Sequence, residues 1–173
     1  MNISRIPTTQ YDNDIKRFHD SFGLPYDWLM LKAQLMQESR LDCHAVSPVG
    51  AKGLAQFMPG TWAEYVGKCS YPHSTSPFNA SASIHCCAAY MKDLLKGWKS
   101  ERTAEDRYKL ALASYNAGFG NLLKAQKLAK GAVDYKHIIA KLPLVTGKAN
   151  SRETMNYVIK IYEYYEQFRL AEV

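Results

Sequence analysis

Residues 37–62 read QESRLDCHAVSPVGAKGLAQFMPGTW, and the fold turns on how this stretch divides into elements. Upstream of it, Trp28–Met36 is apolar at helical spacing apart from Lys32 and Gln34. With Pro25 suited to a first helical turn, a helix is expected from there to about Ser39, which sets Glu38 at its foot. The Ser, Pro and Gly residues that follow break the pattern, so Asp42–Lys52 is expected to be a loop. A short helix is expected to resume after Pro59 and Gly60 and to run over Thr61–Val66. One carboxylate would thus stand against apolar side chains, with Gln56 and Met58 brought back beside it. Gly50 and Gly53 would permit the tight loop and a close approach of backbone.

The helical period extends almost throughout, and sustained period-two alternation is absent, so the fold class is all-α. Ile15, Phe18 and Phe22 mark a first helix ended by Gly23. Asn79 is placed to cap a long helix over Ala80–Trp98. Ala104–Ala117, rich in Ala and Leu, closes at Gly118, a residue suited to a left-handed C-cap. Shorter helices are expected over Asn121–Lys130 and Asp134–Lys141. A last helix, Ser151–Leu170, would start on an N-cap at Asn150 with Glu153 at N3. Lys68–Pro77 reads as a second irregular stretch. No repeat or low-complexity linker interrupts the chain. One domain is expected over 1–173, with a helical N-terminal extension over 1–23 and a core over 24–170.

The 47% apolar and 22% charged residues are those of a globular protein with a buried core. No apolar run reaches the roughly 18 residues needed to span a bilayer, so membrane insertion is not expected. The net charge of +6 favours anionic surfaces. Basic residues are scattered among acids with no Lys/Arg run, which argues against nucleic acid as a partner. The five histidines and four cysteines lack metal-ligand spacing, and no phosphate-binding glycine loop occurs. Neither a metal nor a cofactor is expected. Cys43, Cys69, Cys86 and Cys87 could all be free thiols, or could include one bridge from Cys69 to Cys86 or Cys87. Residues 1–14, MNISRIPTTQYDND, contain no apolar h-region, so a secretory signal peptide is not expected.

Three groups of residues in order carry a family resemblance. Glu38-Ser39, Ala45-Val46-Ser47, Gly50-Ala51, Gly53-Leu54, Gln56, Met58-Pro59 and Thr61 resemble the first signature of the soluble lytic transglycosylases. Tyr115-Asn116-Ala117-Gly118 with Gly120 resembles the second, and Glu153-Thr154 with Tyr157-Val158 the third. The resemblance covers about Leu24 to Tyr165. It implies a lysozyme-like helical domain, related to goose-type lysozyme, with a sugar-binding groove. The implied partner is the glycan strand of peptidoglycan, and a monomer needs no further assumption. The implied reaction cleaves the β-1,4 bond between N-acetylmuramic acid and N-acetylglucosamine without water and yields a 1,6-anhydro sugar. One glutamate, Glu38 by position, would act first as acid and then as base.

The residue chemistry argues for the same role. A glutamate at its reference pKa of ~4.3 is only about 0.2% protonated at pH 7, and apolar surroundings raise that fraction. Hydrolytic glycosidases use two carboxylates. Asp42 is the near candidate for a second, but it falls in the loop and nothing marks it as nucleophile or base. An attacking hydroxyl within the substrate lessens the need for one. Ser47 and Gln56 offer donors and acceptors suited to N-acetyl and hydroxyl groups. Ser47 could instead stabilise the turn before Pro48, and Met58 could be core or contact. The resemblance places Tyr115 near Glu38, and Asn116, Glu153 and Tyr157 along the groove. Asn116 and Glu153 also have helix-capping alternatives. Trp28, Trp62, Trp98 and the C-terminal tyrosines are expected mainly to pack.

Two rivals stand beside this expectation. A goose-type lysozyme would hydrolyse the same bond, and a non-catalytic wall-binding structural component would only hold the strand. The missing h-region suggests a phage lysin or virion-associated enzyme acting on the bacterial wall, or else an exported domain whose leader has been removed.

Overall fold

Apolar side chains on every face of residues 29–36 leave that segment no exposed side, and it forms a buried helix. The computed structural model describes residues 9–171, so the leader reading and part of the 1–23 extension lie outside the described residues. The chain forms two compact units that divide between Ala89 and Tyr90.

The first unit contains α1 (Asp12–Phe22), α2 (Trp28–Ser39), α3 (Pro59–Lys68) and the first half of α4 (Ala80–Gly97). Leu31, Ala33 and Leu35 of α2 have no solvent exposure, and Met36 is 7% exposed. Each such Leu contributes about 1.5–3 kcal/mol by leaving water. The expected start of α2 at Pro25 is corrected. Tyr26 takes a left-handed φ of 65°, and the helix begins at Trp28 with the Asp27 carboxylate accepting from Leu29 N–H at 2.9 Å. A carboxylate satisfying a free N-terminal N–H outweighs proline's preference for a first turn.

α1 ends as expected on Gly23 in the left-handed region. It is joined to α2 by an ion pair between Asp12 and Lys32 at 2.7 Å, with the side chains only 14% and 9% exposed. The Lys32 ammonium also lies 5.4 Å from the centre of the Trp28 ring. α3 starts two residues earlier than expected because Pro59 occupies its first turn. Asn79 caps α4, its side-chain oxygen accepting from Ala82 N–H at 2.9 Å.

The second unit holds the rest of α4, then α5 (Ala104–Ala117), α6 (Phe119–Leu128), α7 (Tyr135–Ile139), α8 (Pro143–Thr146) and α9 (Lys148–Ala171). α5 lies against α6 and α9 and buries Tyr108, Leu110, Ala111 and Leu112 completely. Buried Ser114 donates to Leu110 C=O at 2.7 Å and accepts from the Trp98 indole at 3.1 Å. Gly118 has φ 94° and ψ 134°, outside the left-handed helical region expected of it. It is the hinge residue on which α5 stops and α6 starts, so an extended positive-φ turn is needed there.

The N-cap assigned to Asn150 is also corrected. α9 begins at Lys148, Ser151 N–H bonds to Gly147 C=O, and the Asn150 amide donates to Thr146 C=O at 3.1 Å. The four-residue α8 was not anticipated. Among the described residues there are no strands, only the isolated antiparallel bridges Val46–Lys52 and Lys52–Phe57. The all-α class holds.

Candidate active site

Glu38 is the penultimate residue of α2 and is half-buried. The chain leaves the helix through Arg40 and Leu41, both left-handed at φ 55° and 59°. Two successive residues in that region cost roughly 1–2 kcal/mol each, so the surrounding contacts must hold the exit.

They do so along the whole loop. The Asp42 carboxylate accepts from His44 N–H at 2.9 Å, and the side chain is exposed. Ser47 Oγ accepts from Ala51 N–H at 3.0 Å, while Ser47 N–H bonds to Ala51 C=O at 2.9 Å. Gln56, itself at φ 52°, donates from its side-chain nitrogen to Ala45 C=O at 3.1 Å and Gly53 C=O at 2.9 Å. Both of its amide protons therefore staple the loop, and the side chain's remaining capacity is its acceptor oxygen. Gly53 has φ 80°, and a Cβ built there would lie 2.0 Å from Pro77 C=O. Ala55 N–H bonds at 3.1 Å to Ser83 Oγ, a fully buried hydroxyl on α4. Met58, 44% exposed, precedes Pro59 as the N-cap residue of α3. Phe57 is buried against Trp62 and Tyr65.

Glu38 and Met58 thus stand at the two ends of a rigidly bonded loop that contains Ser47 and Gln56. The loop is also tied to the start of α1, where Tyr11 hydrogen-bonds to Cys43. Burial, followed by that bond, pushes the Tyr11 phenol up to about 12. Cys43, Cys69, Cys86 and Cys87 are all free thiols.

In the second unit, Asn116 and Glu153 line one cavity of about 220 Å³ with Ala117, Asn121, Thr146, Asn150 and Thr154. Because α9 starts early, Glu153 sits within the helix and is released from the capping role that its spacing suggested. Thr154, 2% exposed, places its hydroxyl 2.7 Å from the Asn116 side-chain oxygen. Tyr157, on the next turn of α9, is 4% exposed. Tyr115 is half-buried, its ring 5.0 Å from that of Tyr90. Thr154, Asn121 and Asn150 had not been singled out as site residues. The helical spacing of Asn150, Glu153 and Thr154 was the available signal, hidden by reading Asn150 as a cap.

A larger hollow of about 660 Å³ lies among α5, α7 and α9, with Tyr135, Ile139, Val158, Ile159 and Tyr162 in its wall. Its acids Glu163 and Glu166 pair with Lys160 and Arg169, so its chemistry is that of an apolar trough with a neutralised rim. Among the described residues no cluster of His, Cys, Asp and Glu could hold a metal ion, and no helix is long and apolar enough to cross a membrane.

Residues 24–138 match the family described as Transglycosylase SLT domain. The chain is 36% identical over 155 residues to membrane-bound lytic murein transglycosylase F of Maricaulis maris, covering 82% of this chain and 32% of that protein. Against the protein of the same name from Marinobacter nauticus it is 33% identical over 181 residues, covering 94% and 33%. Among solved structures, the 70 kDa soluble lytic transglycosylase of Escherichia coli superposes with a TM-score of 0.71 at 25% identity, covering 92% of this chain and 24% of that one. An inactive mutant of Slt from Pseudomonas aeruginosa superposes with a TM-score of 0.70 at 25% identity, covering 94% and 25%. The chain therefore spans about a third of the length of the curated relatives it matches. The matched segment takes in α2, the bonded loop and α5 together, and with relatives at this identity the chain belongs to the transglycosylase SLT domain family.

Proposed function

We propose that this chain is a lytic transglycosylase domain that cleaves the N-acetylmuramic acid to N-acetylglucosamine bond of peptidoglycan. What carries the reading is a half-buried glutamate at a helix end, followed in the chain by a loop whose polar groups are fixed by hydrogen bonds, within a family of lytic transglycosylases. Glu38 donates its proton to the glycosidic oxygen as the bond to the muramyl C1 breaks. The carboxylate then removes the proton from the muramyl 6-hydroxyl as that oxygen attacks C1. The products are the 1,6-anhydro end and the freed 4-hydroxyl of the neighbouring sugar, and Glu38 returns protonated. No water enters, and proximity within one sugar ring replaces a water-activating base.

Two observations support the economy of one carboxylate. The Asp42 carboxylate is engaged with the His44 N–H and exposed, as a turn residue would be. The solved Slt of Pseudomonas aeruginosa is an inactive mutant in which glutamine replaces one glutamate. Ser47, Met58, Tyr115, Asn116, Glu153 and Tyr157 are assigned to the strand-binding surface, and Gln56 contributes to it only as an acceptor.

Digestion of purified peptidoglycan, with soluble products read by mass spectrometry, tests the proposal. Products ending in 1,6-anhydromuramic acid are expected. Ends heavier by one water would make the protein a hydrolase, and no release by folded protein would favour a wall-binding component. Replacing Glu38 with Gln is expected to lower turnover by at least about a thousandfold with the melting temperature nearly unchanged, as loss of a general acid and base requires.

A further inference from the structure

The 220 Å³ cavity of the second unit has a hydrogen-bonding polarity that is fixed from beneath. Thr154 Oγ lies 2.7 Å from Asn116 Oδ1 and 3.1 Å from Asn150 C=O, and the residue is 2% exposed. The hydroxyl has one proton for these two acceptors, and it goes to the nearer, Asn116 Oδ1 at 2.7 Å, since two oxygens that close need a proton between them. The Asn116 carboxamide is therefore held with its oxygen on Thr154 and its NH2 turned away, free to donate. The neighbouring amides are held the opposite way. Asn121 donates to Ala117 C=O at 2.8 Å and Asn150 donates to Thr146 C=O at 3.1 Å, which leaves both side-chain oxygens to accept. With the Glu153 carboxylate, the cavity sets the Asn116 NH2 as a donor beside the acceptor oxygens of Asn121, Asn150 and Glu153. That set complements an amide group, whose C=O accepts and whose N–H donates.

We infer that Thr154 is a positioning residue that locks Asn116 as a donor and so tunes this cavity to an amide group of the substrate. This rests on the proposed function in that the amide belongs to a peptidoglycan strand. Two sources share the chemistry: the N-acetyl group of a sugar and a peptide bond of the stem.

The test measures binding, by calorimetry, of purified glycan strands with and without stem peptides to Glu38→Gln protein, which separates binding from turnover. Adding Thr154→Val, which keeps the shape and removes the hydroxyl, is expected to weaken binding about tenfold, the scale of one oriented hydrogen bond. Adding Thr154→Ser instead is expected to keep affinity within about twofold. With Asn116→Ala already in place, Thr154→Val should cause no further loss. Melting temperatures of every variant confirm that each is folded. Weakening by Thr154→Val that persists on strands without stem peptides assigns the amide to an N-acetyl group. Weakening confined to strands with stem peptides assigns it to the stem. Unchanged affinity in folded Thr154→Val protein overturns the inference, as does an undiminished loss in the Asn116→Ala background or the absence of binding by the Glu38→Gln protein. Failure of the unmodified protein to release muropeptides would sink the proposed activity while this binding series still judged Thr154.

Discussion

Gly53 carries two demands at once: a φ of 80° and a carbonyl, that of Pro77, where its Cβ would be. Gly53→Ala therefore has to relieve a 2.0 Å contact with backbone as well as a left-handed conformation, and no flexible side-chain tip is there to give way. The loss expected in urea denaturation is at least about 2 kcal/mol. Gly50, at φ 92° with open space around it, should lose less on the same substitution, which makes the pair an internal control. The sequence carried half of this result. A glycine in a Ser/Pro/Gly loop announces a turn or a close approach, but the atom approached, Pro77 C=O, belongs to a segment that no local rule connects to it. Ser47 and Gln56 show the same split. Their chemistry was legible as polar and suited to sugars, whereas the carbonyls that claim the Gln56 amide protons emerged only with the folded loop.

At the scale of elements, helix existence followed from apolar spacing and helix ends followed from competition among donors. Pro25 and Asn150 each carried a valid local signal that lost to a stronger one nearby: the Asp27 carboxylate at one end, and the Gly147 carbonyl taking the Ser151 N–H at the other. α8 was missed because four residues cannot display a helical period.

The junction of α1, α4 and the irregular stretch before α4 makes a further prediction. His85 of α4 stacks on Phe18 at 4.4 Å, touches Phe22 and Tyr71 edge-on or tilted, and shares a 3.0 Å hydrogen bond with the Tyr71 hydroxyl. Burial lowers its pKa, and the nearby Arg17 guanidinium lowers it further. Burial also raises the Tyr71 phenol, so both partners of this hydrogen bond stay neutral over the same range. The unfolded chain takes up a proton on His85 near about pH 6.5, while the folded chain resists it. Stability from this junction is thus complete above about pH 6.5 and declines as the pH falls below that value. Thermal melts from pH 8 to 5 should show the decline, and His85→Phe should flatten it. An unchanged slope in that variant would remove His85 from the account.

Over the whole molecule, the ordered signatures were the most legible feature. They marked the family from residues dispersed along nearly the entire chain, while the apolar period marked the helical class. The polar cavity was less so, because it is assembled from α5, α6, α8 and α9, and three of its residues had no motif to mark them. Stability at this scale also depends on the link between α1 and α2. Asp12→Ala withdraws a carboxylate from a Lys32 ammonium that is only 9% exposed, and is expected to cost about 3–5 kcal/mol in urea denaturation. Changing both residues together, to Asp12→Leu and Lys32→Met, should recover much of that loss.

The same ion pair separates two boundaries that are easily taken for one. The family model's match begins at residue 24, beyond the whole of α1, yet Lys32 inside the matched segment finds its counter-charge on that helix. A graft of residues 24 onward into another protein would carry a buried cation away from its anion and strip the cover from Tyr11's partner, Cys43. The family model thus marks a segment shorter than the unit that folds, and the transplantable part starts at least a helix earlier.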